Sequence, residues 1–252
     1  PAVKRSERLL AQMLRERGYA TGGIVSASLL RRETGINQGF DFFDDDLPQN
    51  PEELTAGPLE RDGGRSEEIA EHWLEGLGSS RAFLFLQLNE PHAPYVPPDR
   101  FAEYSPYDGE IAYADEVVGR LVHFLKAHQM YDRSTIILLS DHGEGLGDHG
   151  EQGHGLLLYD EALHVPLIVK TAASEDGGRR VRDLVQLVDL MPTIVDLAKA
   201  PLPDDVDGES LARLRTMLEG GAVTVIDLQW LGRLARPLPL SALIERGVID
   251  SM

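Results

Sequence analysis

An α/β fold, a sheet with helices on both faces, follows from three observations on this 252-residue sequence. Ala82–Leu88 (AFLFLQL), Thr135–Leu139 (TIILL) and Val165–Lys170 (VPLIVK) are apolar runs of the kind found in strands covered on both faces. Other segments space their apolar residues at helical intervals. The two kinds of segment alternate along the chain, which is the order of an α/β sheet rather than of a bundle or sandwich.

Each element has its own local reason. SERLLAQMLRERGYA predicts a helix capped by Ser6, with Leu9, Leu10, Met13 and Leu14 on one face and Gly18 at its end. Thr21–Leu30 reads as a strand and its exit. Phe40–Arg65, rich in Asp, Pro and Gly, reads as a long surface loop in which Asp44, Asp45 and Asp46 could chelate calcium but, as a run of consecutive acids, read as solvated. Arg65–Leu77 is an amphipathic helix. After the strand Ala82–Leu88 comes the proline-rich loop NEPHAPYVPPDRF. Gly109–His128 carries the clearest helical pattern, with Ile111, Ala114, Val118, Leu121, Val122 and Leu125 on one stripe. The strand STIILLS follows a turn at Asp132–Arg133. A last helix begins near Asp189. Residues 1–220 read as one domain, and 221–252 as a C-terminal segment without a clear assignment.

Composition excludes several function classes. The formal charge of −18 argues against nucleic acid as a partner, because phosphate binding needs a surplus of Lys and Arg. There is no cysteine, hence neither a disulfide framework nor a thiolate metal site. No apolar stretch reaches the roughly 18 residues of a membrane span. Pro1–Leu10 lacks the apolar core of a signal peptide.

The chemistry gathers in two loops. Ser140–Gly155 (SDHGEGLGDHGEQGHG) holds three of the eight histidines and follows directly on TIILL. In α/β sheets ligands sit beyond the carboxyl ends of strands, and EPHAPY occupies a second such end. Asp141 and His142 offer a hard oxygen and a borderline nitrogen, a pairing that suits a divalent ion. Both can reach one ion if the chain turns at Gly143. The bland alternative is a polar loop with Asp capping the next turn. His92, stiffened between Pro91 and Pro94, suits a preorganised donor to an oxyanion or leaving oxygen, or is a histidine in a surface turn. His154 lies uncrowded between Gly153 and Gly155. His149 with Glu151, and Glu144 with Asp148, read as solvated or supporting pairs. His72, His123 and His128 read as surface histidines of helices.

The ordered set LRERGYATGGIVS, GINQGFDFFDD, EPHAPY, PYDGEIAYADEVVGRL, SDHGEGLGDHGEQGHGLLLYDEALHVPLIV and LVDLMPTIVDLA with DGESL resembles the sulfatase family of the alkaline phosphatase superfamily. The resemblance implies an α/β/α sandwich with a mostly parallel central sheet, incomplete in this chain. It also implies a divalent metal at the strand ends, calcium first, with manganese or zinc as alternatives. On it, Asp141 and His142 match two metal ligands. His92 matches a histidine that contacts the sulfate or its leaving oxygen. His154 falls where many members place a sulfate-contacting lysine, and His164 where arginine is common. The family's nucleophile is a formylglycine made from Cys or Ser in a Cys/Ser-x-Pro-x-Arg stretch, which this sequence does not contain. The resemblance therefore implies an interior piece of a sulfate-ester hydrolase, inactive in isolation, acting on a small-molecule or carbohydrate sulfate. The alternatives are a phosphodiester or phosphonate monoester hydrolase, and a non-catalytic metal-binding remnant. The resemblance also implies a periplasmic, extracellular or membrane-anchored setting, which the sequence itself does not show.

Overall fold

The computed structural model describes residues 2–47, 60–172, 178, 181 and 183–211. The segment 221–252 lies outside the described residues, as does part of the long loop.

The chain opens with helix α1 (Leu10–Glu16) and strand β1 (Ala20–Val25), followed by β2 (Phe42–Asp44). Next come α2 (Gly63–Glu75), β3 (Ala82–Gln87), α3 (Pro106–Ala127) and β4 (Ile136–Leu139). A two-residue ladder, β5 (Gly145–Leu146) with β6 (Gln152–Gly153), precedes α4 (Asp160–Leu163), β7 (Leu167–Lys170) and α5 (Leu190–Leu197).

β1 pairs in parallel with β2 on one side and β3 on the other, giving the order β2-β1-β3. β4 pairs antiparallel with β7 from Ile136↔Lys170 to Leu139↔Leu167. Helices cover both faces. A Cβ on Gly22 would meet Trp73 of α2 at 2.7 Å, whereas one on its neighbour Gly23 would meet Phe43 at 2.6 Å. Adjacent strand residues face opposite ways, so α2 lies on one face and the Phe40–Phe43 cluster on the other. Leu74, Val122, Leu125 and Ile168 form one core with Leu84 of β3 and Ile136 and Leu138 of β4. Both ladders therefore rest on the same α2–α3 layer. Leu167 and Val169 face the opposite way, into a second cluster with Leu190 of α5.

Four expectations change. The first helix begins at Leu10, not after Ser6, because Gln12 accepts the Leu9 N–H at 2.7 Å and closes the turn there. The expected loop contains β2, recruited by Phe40, which stacks on Phe83 with ring centroids 6.0 Å apart. The acidic run is not solvated throughout: Asp45 is buried against Arg32, and Asp44 pairs with the buried Arg61. Finally, β3 and β4 are half-buried rather than enclosed, whereas β7 is buried throughout.

The α2–α3 seam carries a buried acid. Glu67 is 2% exposed and faces Arg120 at 3.3 Å. Burial, reinforced by Glu71, outweighs the arginine and pushes its carboxyl up to about 8. The folded chain thus holds a proton that the unfolded chain releases at the ordinary glutamate value. This contribution to stability is complete below that value and is lost as pH rises through 8. Glu67→Gln is expected to keep it at all pH, stabilising the protein by about 1–2 kcal/mol at alkaline pH and flattening the fall in Tm between roughly pH 4.5 and 8. Thermal melts of the two proteins across that range check it. An unchanged slope would mean that Glu67 titrates normally.

Candidate active site

The two strand-end loops meet. After β3 the chain runs through Glu90–Val96, and after β4 through Ser140–Gly155. The β5–β6 ladder folds the second loop back on itself, pairing Gly145 with Gly153 and Leu146 with Gln152. His154 is thereby returned beside His142, with ring centroids 3.9 Å apart and planes 29° from parallel. Gly153 and Gly155 flank it at φ 109° and 97°, a region that side-chain-bearing residues avoid. His92 approaches from the first loop, its ring centroid 5.7 Å from that of His154. Three histidines separated by up to 62 positions thus form one cluster.

Asp141 and His142 stand as a pair, His142 Nε2 lying 3.8 Å from Asp141 Oδ1. The Nδ1 of His142 is 2.8 Å from the Gly143 carbonyl, which can only accept, so Nδ1 carries the proton and Nε2 offers a lone pair. This is the arrangement of a metal-ligating imidazole, whose other nitrogen donates to a carbonyl. A lone pair and a mostly exposed carboxylate facing one point fit a divalent cation. Among the described residues no group of three or more such side chains is arranged to hold an ion, so the pair would be part of a larger ligand set.

His92 is held from three directions. Its Nδ1 donates to the Ala93 carbonyl at 2.7 Å, and the Glu60 carboxylate lies 3.8 Å from the same nitrogen. Its backbone N–H donates to Glu110 at 3.0 Å, while the other oxygen of Glu110 accepts the Val96 N–H at 2.7 Å. Glu110, buried on α3, therefore clamps the loop from below. Burial raises its pKa against the pull of these two N–H groups. Glu90 is shifted upward too, first by burial and then by the nearby Asp62 and Glu110 charges, although Gly63 donates to it at 2.9 Å. Carboxyl groups thus surround the imidazole cluster, two of them drawn toward the neutral form by burial.

Sequence reasoning missed two of these acids and left a third between two roles. Glu90 and Glu110 gave no signal, because nothing in the string shows that α3 passes beneath the EPHAPY loop. Glu144, expected to be solvated or supporting, is 5% exposed and spans the two loops. It accepts the Tyr95 hydroxyl at 2.6 Å on one oxygen, and its other oxygen lies 3.0 Å from His154 Nδ1. His149 pairs with Glu161 at 2.6 Å rather than with Glu151, and stacks on Tyr159. Glu151 instead accepts the Leu156 and Leu157 N–H groups. His164 closes α4.

Several known proteins are similar to this chain in sequence or in fold. Human Arylsulfatase K is 32% identical over 108 residues, covering 43% of this chain and 20% of that protein. The phosphonate monoester hydrolase from Silicibacter pomeroyi superposes with a TM-score of 0.68 at 19% identity, covering 86% of this chain and 62% of that one. A protein solved in complex with its substrate D-glucosamine-2-N,6-O-disulfate superposes with a TM-score of 0.65 at 15% identity, covering 84% and 65%. The matches span about a fifth of the curated relatives' length and about three fifths of the solved chains. The structural likenesses establish the alkaline-phosphatase-like α/β fold, with helices about a largely parallel sheet. A profile described as Sulfatase matches residues 1–200. With that span of the sequence covered, the chain belongs to the sulfatase family.

Proposed function

We propose that this chain supplies part of the active centre of a metal-dependent sulfatase that hydrolyses sulfate esters of a small molecule or carbohydrate. The convergence of His92, His142 and His154 from two strand-end loops, beside Asp141, is the observation that carries this reading. Asp141 and His142 would hold a divalent cation, calcium first, with manganese and zinc as alternatives. When bound, the cation supplies positive charge against the sulfate oxygens. The nucleophile, a formylglycine in this reading, belongs to sequence outside these 252 residues, so the isolated chain turns nothing over.

The chain's own residues then have distinct tasks. Hydrolysis of R–O–SO3⁻ at the S–O bond leaves an alkoxide that must take up a proton. His92, with Nδ1–H committed to Ala93, donates one from Nε2 when the ring carries its second proton. His154 lies close enough to share the charge of the sulfate. Glu110 keeps the His92 loop in register. The second reading, a phosphonate monoester or phosphodiester hydrolase, draws on the fold shared with the Silicibacter pomeroyi enzyme.

The test is to extend the reading frame on both sides, express the whole protein, and assay an aryl sulfate, an amino-sugar sulfate and a phosphonate monoester. Sulfate release that disappears on chelation and returns with calcium is expected. Turnover of the phosphonate with none of either sulfate would replace this reading with the second. No turnover of any substrate by a metal-loaded protein would leave a non-catalytic binding protein.

A further inference from the structure

Glu144 lies at a junction that neither loop forms alone. Its backbone belongs to the loop after β4, two residues beyond His142. One of its oxygens takes the hydroxyl of Tyr95 from the loop after β3, and the other faces Nδ1 of His154 at 3.0 Å across the β5–β6 turn. The side chain is 5% exposed, so water does not compete for either oxygen. Tyr95 is itself fixed, its ring edge-on to Tyr107 with centroids 5.2 Å apart. Burial and the Glu144 carboxylate push the Tyr95 hydroxyl above its ordinary pKa, so it remains a donor.

An ionised carboxylate accepts hydrogen bonds and donates none. Both groups facing Glu144 must therefore present protons to it. Tyr95 has one in its hydroxyl. His154 has one only if Nδ1 is the protonated ring nitrogen. We infer that Glu144 is a positioning residue that selects the Nδ1–H tautomer of His154 and leaves Nε2 as the nitrogen open to a ligand. His142 and His92 reach the same state by donating Nδ1–H to backbone carbonyls. His154 is the member of the trio whose Nδ1 lies within hydrogen-bond distance of a side chain, which makes its state alterable by substitution. The flanking glycines give it no steric guide, so the carboxylate does the orienting. A bare Nε2 only accepts, so a contact with a sulfate oxygen needs the doubly protonated ring and rests on the sulfatase reading; the choice of tautomer does not.

The test is nitrogen NMR on the 252-residue chain labelled at histidine, at about pH 9, above the usual imidazole range. Long-range proton–nitrogen correlations identify the protonated nitrogen, and loss of the signal in His154→Gln assigns it. The expected result is a protonated Nδ1 and a bare Nε2 in the wild type. Glu144→Gln, which keeps the shape but replaces one acceptor oxygen by a donor, is expected to shift the tautomer ratio at least about fivefold toward Nε2–H. Tyr95→Phe retains the carboxylate and is expected to leave the ratio in place. A bare Nδ1 in the wild type, or both nitrogens protonated at that pH, would overturn the inference. So would a ratio unmoved in Glu144→Gln, or one that collapses equally in Tyr95→Phe, which would make packing the cause. The signals of His72, His123 and His128 report the fold of each variant. Sulfate turnover bears on the proposed function alone, so either can fail without the other.

Discussion

His92→Ala is expected to lower kcat for sulfate-ester hydrolysis in the whole enzyme by about 10²–10⁴-fold, the usual worth of a positioned general acid. Fixing the ring is what makes the effect large. Nδ1 is tied to the Ala93 carbonyl, and Glu110 accepts the His92 and Val96 N–H groups. The loop therefore cannot close over the gap that alanine leaves. A leaving alkoxide of high basicity needs the proton most, so the defect should grow as the leaving alcohol becomes less acidic. Measuring kcat and KM across aryl and alkyl sulfates separates the possible roles. A loss independent of the leaving group would assign His92 to holding the sulfate, and wild-type turnover would remove it from the chemistry.

Gly143→Ala is expected to destabilise the chain by about 2–4 kcal/mol and to weaken divalent-ion binding at Asp141 and His142. The Gly143 N–H donates to the Ala162 carbonyl at 2.8 Å. A Cβ at 143 would run into the Glu161 carbonyl, with the Glu161 carbonyl carbon 3.0 Å and Ala162 Cα 3.3 Å away. All three are backbone atoms, so no rotamer change relieves the contact. The loop after β4 must then lift from α4, moving His142 and breaking the hydrogen bond. Thermal melting should show a fall of roughly 5–10 °C, and calcium titration should show weaker binding. An unshifted Tm would mean that α4 can retreat freely.

Gly143 also shows where sequence reasoning stops. The glycine was expected because Asp141 and His142 needed a turn. The structure gives it another reason, the close passage of a segment 18 residues further on. The same limit applies to Glu144. Within the string it stands among glycines and acids and reads as solvated or supporting, with nothing to choose between the two. Burial follows because Tyr95, 49 positions earlier, supplies one donor and His154 can supply the other. A strand was missed at Phe42–Asp44 because its neighbours are Asp, Pro and Gly. Its pairing with β1 depends on Phe40, whose ring packs on those of Phe43, Phe83 and Phe85.

The sequence alone determined the α/β class, the long helix, the strands beside both loops and the residues worth watching. Periodicity and residue chemistry act over a few positions and survive in the string. Tertiary structure decided that the two loops meet, that His92, His142 and His154 share one cluster, and that Glu110 and Glu144 brace it from beneath and between. Those contacts join residues 10 to 62 positions apart, and they arise from how sheet and helices bring strand ends together, which no local pattern encodes.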